Sequence, residues 1–188
     1  MSSDLYVKRA VTEVGRELEK IDCCLPTRVT TPLSRGYRPE LDVSAELDVK
    51  RENYYQVLIG ILRWMCKLGR VDILVPVAFL SRFLSALRVW HLDQAFHIFA
   101  YLKRYNKSTL VFDDTVPVFD DSEFTNCDWS EFYPGTSEPV PPKAPELRQE
   151  PIIMPCFVDA DHAGCHVTRR SHNGVLIFIN KAPIALTR

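Results

Sequence analysis

The stretch from residue 51 to 104 limits the fold of this chain more than any other. Tyr54, Leu58, Ile61, Leu62 and Met65 recur at helical spacing up to Gly69, which predicts an amphipathic helix closed by a glycine. Asp72 is the expected N-cap of a second helix running to about Ala86. Pro76 falls in its first turns, where proline costs least. Leu92, Phe96, Phe99 and Leu102 mark a third helix from about Val89 to Tyr105. Connections this short make antiparallel neighbours. Leu110 to Phe112 then reads as a short strand.

A further helix is expected over residues 3 to 21. Ser3 is the candidate N-cap, and Leu5, Val7, Val11, Val14, Leu18 and Ile21 form its apolar side. Residues 22 to 50 show no sustained period, and Pro26, Pro32, Gly36 and Pro39 punctuate them. They read as an extended linker. Residues 113 to 150 are acidic and proline-rich, a composition that does not bury enough apolar surface to hold itself compact. Trp129, Phe132 and Tyr133 interrupt that stretch. Two readings stay open for them: anchors on a neighbouring domain, or exposed aromatics on a linker.

Net charge is −1 over 188 residues but unevenly spread: +5 over residues 1 to 112, −8 over 113 to 150, and +2 over the rest. A mildly basic N-terminal part is compatible with a nucleic-acid partner and equally with an ordinary solvated surface. No apolar run reaches the roughly 18 residues of a membrane span, and the first residues lack a signal-peptide core. An intracellular protein without a membrane partner is expected. The six cysteines include no CxxC pair. Cys156, His162, Cys165 and His166 match no common zinc spacing, so free thiols are expected.

The C-terminal part changes character. A short apolar run beginning at Cys156 leads to Asp159, a polar turn follows, and a second apolar run covers Val175 to Ile179 before a third begins. This is the pattern of an antiparallel meander with a carboxylate at the end of its first strand. The whole chain is therefore expected to be α+β. Its parts are an N-terminal helix and linker (1–50), a three-helix module (51–112), an acidic linker (113–150) and a β-meander (151–188).

Two sets of residues, in order, carry a resemblance. The first is Tyr55, Gly60, Leu62 and Trp64, then Arg70, Asp72 and Ile73, then Leu80-Ser81-Arg82-Phe83, His91, Tyr101-Leu102-Lys103 and Leu110-Val111-Phe112. The second is Asp159-Ala160-Asp161-His162-Ala163-Gly164, Arg169-Arg170-Ser171, Gly174 and Ala182-Pro183-Ile184. Together they span about two-thirds of the chain, and it resembles the polyprotein of copia-type LTR retrotransposons, from the end of reverse transcriptase into ribonuclease H. His162 stands where that family usually has Trp, and the match fails after Ile184.

The resemblance implies that the helical module is thumb- and connection-like and grips a template–primer duplex through its backbone. Arg63, Lys67, Arg70, Arg82, Lys103, Arg104 and Lys107 are then candidates to face phosphates; a solvated helix face is the competing reading for each. It implies that the meander opens a ribonuclease H-like domain with Asp159 as its first Mg²⁺ ligand. Two-metal hydrolysis needs several carboxylates around ions about 4 Å apart. The family's next acids come from a later helix and a fourth strand, past Arg188. Asp161 belongs to the motif but is not a ligand in the family. Asp113-Asp114 is not the polymerase Tyr-x-Asp-Asp turn, because it follows the thumb-like helices and Pro117 spoils a second strand.

The expectation is thus a truncated piece of the element, ended by a frameshift, a premature stop or a misjudged exon boundary. Neither RNA-directed DNA synthesis nor RNA–DNA hybrid cleavage is expected from it alone, and no Mg²⁺ should be held stably. Its implied partners are an RNA–DNA hybrid or duplex and the rest of the polyprotein. A second reading is a non-enzymatic module that binds nucleic acid or protein. A third is a chain that lends Asp159 to a partner fragment.

Overall fold

Val7, Val11, Val14 and Leu18 fall on one side of a helix, and all four are buried in α1, Asp4–Glu19. The computed structural model describes residues 3–119, 129–135, 142–144 and 152–187, apart from a few strand side chains. Ser3 occupies the N-cap position of α1 but makes no side-chain cap bond. The helix packs mainly against α4, Val89–Arg104. Lys103 and Arg104 close α4 where cations favour the helix dipole.

The second helix, α2, covers Val49–Lys67. It begins two residues before the expected start because Asp48 caps it, accepting from the Arg51 N–H at 2.9 Å. It ends as its glycine predicts. Gly69 sits at φ +103°, its N–H donates to the Cys66 carbonyl, and the Arg70 N–H reaches back to Met65. These two bonds define a Schellman stop, a conformation that disfavours any side chain.

The expected helix from Asp72 to Ala86 is much shorter. A 3₁₀ turn, Val71–Ile73, leads into α3, Leu74–Leu80. Asp72 is not its N-cap, because its carboxylate is taken by Arg70. Beyond Leu80 a tertiary contact overrides helix propensity. The Leu47 N–H donates to the Leu87 carbonyl and the Val89 N–H to Ala45, so Glu46 and Arg88 form an isolated bridge. Residues 110–112 form no strand.

The expected linker contains one 3₁₀ turn, Pro39–Leu41, and no longer element before α2 begins at Val49. It is nevertheless packed. Leu25, Val29 and Leu47 are buried in the same core as Tyr55, Leu62, Ile98 and Phe99. It is a strap over the helices rather than a spacer.

Three strands follow: β1 Cys156–Asp161, β2 His172–Ile179 and β3 Ala182–Thr187, ordered β1-β2-β3. Phe178 N–H donates to Pro155 O and Asn180 N–H to Ile153 O, fixing β1 and β2 antiparallel. A two-residue turn, Asn180-Lys181, joins β2 to β3, with Asn180 in the left-handed region that asparagine tolerates. The architecture is α+β. The chain divides into two units, one of residues 1–111, 158–175 and 186–188, the other of 112–157 and 176–185. Among the described residues no helix is long and apolar enough to cross a membrane.

Candidate functional site

Asp159 lies inside β1, and its side chain is exposed. The register brings Gly174 of β2 across from it, where a Cβ would lie 3.9 Å from the Asp159 carbonyl oxygen. Two residues back on the same strand face, Phe157 meets Phe178 diagonally across the register, edge to face at 5.8 Å. The strand thus presents Asp159 to solvent. Among the described residues no three His, Cys, Asp or Glu groups gather as metal ligands. A Mg²⁺ site built from Asp159 alone does not meet the donor demand of an octahedral, oxygen-loving ion, so the described residues do not fit the metal that the resemblance implies. The Asp161 side chain lies outside the described residues, as do Cys127 and the side chain of Trp129.

Asp113 and Asp114 behave as loop acids. Asp113 accepts the Thr115 N–H at 2.9 Å, and these bonds with Thr115 hold its carboxyl below the ordinary range. The Asp114 carbonyl accepts from Asn180 Nδ2 at 2.7 Å. Phe132 and Tyr133 are exposed beside the 3₁₀ turn Trp129–Glu131.

The basic candidates separate into groups. Arg63 and Lys67 on α2 and Arg82 beyond α3 line one groove of about 450 Å³, whose apolar floor includes Leu74 and Val77. Lys103 lines a different groove, between α1 and α4, with Lys8, Arg16, Cys23 and Cys24. Arg104 is exposed but bound, donating to the Val29 carbonyl at 3.2 Å and lying over the Tyr105 ring. Lys107 is exposed.

Arg70 leaves the set, a correction to the sequence reading. Its side chain is only 1% exposed and grips Asp72 through two bonds of 2.9 and 2.7 Å. A guanidinium spent in this way has little to offer a phosphate. The signal was present in the sequence: an acid two residues on, just past the glycine stop.

Charge sharpens the α2–α3 face. From Asn53 to Leu92 the chain has five basic residues and one acid, Asp72, and that acid belongs to Arg70. No carboxylate in this segment remains to offset Arg63 and Lys67, while Arg82 hydrogen-bonds Cys165. Trp64 is among the residues that carry the resemblance but not among the candidate binding residues. It is 50% exposed on α2, between Arg63 and Lys67 on the same face. Helical spacing was the signal that could have grouped the three.

Cys165, in the turn between β1 and β2, is buried, and the Thr168 N–H donates to its sulfur at 3.4 Å. Hydrogen bonds from Thr168, with Arg82 adding another, pull its thiol down to about 7. Cys66, lining the α2–α3 groove, goes the other way: burial pushes it up to about 11.

Comparison with known proteins finds no matching family model, no matching curated protein and no matching solved structure.

Proposed function

We propose that the chain is a piece of a copia-type retroelement polyprotein, from the end of reverse transcriptase into a ribonuclease H-like meander. In this reading the 188-residue polypeptide contacts nucleic acid without cleaving it. The order of parts supports the ancestry: a helical module, then an antiparallel meander whose first strand carries Asp159. One observation carries the binding role. Arg63, Lys67 and Arg82 ring a single groove in a segment whose only acid is already paired. Phosphates of a hybrid or duplex are the partner such a face suits.

The chemistry assigned to the wider family asks for more acids than Asp159. Two-metal phosphodiester cleavage needs a clamp on both the attacking and the leaving oxygen, and one exposed carboxylate does not make one.

Fluorescence anisotropy with an RNA–DNA hybrid tests the binding role. Affinity should fall steeply between about 50 and 200 mM salt and collapse when Arg63, Lys67 and Arg82 are all replaced by Glu. Binding that ignores salt would reject it. An Mg²⁺ assay on the same hybrid should show no cleavage. Cleavage abolished by Asp159→Asn would show that the polypeptide is an enzyme after all.

A further inference from the structure

We propose that the exposed face of α2 is a stacking platform for single-stranded nucleic acid, with an unpaired base on Trp64 and neighbouring phosphates on Arg63 and Lys67. This rests on the nucleic-acid reading above and names the strand class it favours.

Gly60, Arg63, Trp64 and Lys67 follow one another at i, i+3, i+4 and i+7 on α2, so they share one face of the helix. All four are exposed. Arg63 and Lys67 stand four residues apart, about 6 Å along the axis, close to the spacing of successive phosphates on one strand. Trp64 lies between them with half its surface in water. An exposed indole flanked by cations is what binds a strand whose base faces are free. A duplex hides those faces in its own stack, and an acidic peptide has none.

Gly60 adds an independent observation. Glycine inside a helix is unfavourable, and the fold gives no reason for it here: a Cβ at Gly60 would meet nothing within 4 Å. Its missing side chain leaves open backbone one turn before Trp64. There a sugar–phosphate chain can approach closely. The local charge agrees, since no acid lies between Asn53 and Val71.

The test uses the full chain with labelled oligo-dT of about twelve nucleotides, within the usual site size for such platforms, and a duplex of equal length. The single strand should bind more tightly than the duplex. Trp64→Ala should weaken single-strand binding on the order of tenfold, while Trp64→Phe, which keeps a ring, should recover part of it. Circular dichroism of Trp64→Ala checks that the half-exposed site leaves the fold intact. Polyglutamate of matched charge should compete poorly. Salt-sensitive binding that is equal for both probes, or unmoved by Trp64→Ala, overturns the stacking platform and leaves the broader binding role standing. Effective competition by polyglutamate assigns the face to an acidic protein and overturns it too. No binding of either probe overturns both.

Discussion

Arg70 and Asp72 form a two-point ion pair just past the end of α2, with Arg70 fully enclosed and Asp72 reaching the surface. The two ends of this pair are not equivalent. Asp72→Ala leaves a guanidinium buried without its counter-charge, and should cost about 3–5 kcal/mol. Arg70→Met leaves a carboxylate that can turn to water and places an apolar side chain in an apolar site, so it should cost less. Urea unfolding of both variants decides the order, and equal or reversed costs would refute it.

The same pair sets an acid limit. Burial raises the Asp72 pKa, but the hydrogen bonds and charge of Arg70, with help from Tyr101, outweigh it and leave the net value below 3.8. The folded state therefore holds this proton less tightly than the unfolded state does. The stabilisation is complete above the unfolded value and is lost as pH falls from about 3.8 through the folded value. Asp72→Asn should flatten the melting temperature over that range.

Tyr55 links α2 to the end of α3. Its ring is fully buried and its hydroxyl donates to the Leu80 carbonyl at 2.9 Å. Leu80 is the last residue of α3, so that carbonyl has no i+4 helical donor and is shared by the Tyr55 hydroxyl and the Phe83 N–H, the latter at 3.1 Å. Tyr55→Phe keeps the packing and removes the bond. A loss of about 1–2 kcal/mol is expected in urea melts. No change would mean that the Phe83 N–H alone satisfies the carbonyl.

Much of the fold was legible where burial follows a period. α1, α2 and α4 each bury one helical face, and their apolar spacing announced it. The strap was not legible, because Leu25, Val29 and Leu47 enter the core one at a time from irregular backbone, with no period to detect. The second helix was overestimated for a related reason. Its continuation competed with backbone pairing between Ala45–Leu47 and Leu87–Val89, partners some forty residues apart. Site residues were legible by type and not by environment. Arg63 and Arg70 look alike in sequence, yet one lines a groove and the other is enclosed by the core. Asp159 was expected at the end of the first strand, but β1 runs on to Asp161 and leaves it inside the strand, exposed.

Gly60 sets stability against binding. With nothing near its missing side chain, Gly60→Ala should stabilise the helix by up to about 1 kcal/mol and raise the melting temperature. If a nucleic-acid backbone approaches there, the same methyl should weaken oligo-dT binding. A variant that melts higher and binds unchanged removes Gly60 from the surface. Asp159→Asn is a useful contrast, because its exposed side chain should leave stability within about 0.5 kcal/mol.

His91 gives the helical unit a second pH dependence, at milder acidity. The ring is buried and stacked on Phe83 at 4.9 Å, with Tyr55 also against it. Its Nδ1 accepts the Arg88 N–H at 3.1 Å, and its Nε2 lies 3.1 Å from the Pro39 carbonyl. These partners require the neutral ring with its proton on Nε2. A second proton would have to sit on Nδ1, facing the Arg88 donor. Burial lowers the pKa below 6.5 and the Arg88 charge assists; the Pro39 carbonyl and the Asp42 carboxylate, 3.9 Å away, oppose this without reversing it. The unfolded chain therefore takes up the proton first as pH falls. Stability should be full above about 6.5 and decline as pH drops from there through the folded value. Melting temperatures from pH 7.5 to 5 should show the decline. His91→Gln, which does not titrate, should be less stable at pH 7.5 and nearly flat across the range. A native protein that is equally flat would show that His91 accepts its proton without disturbing Arg88 or the strap.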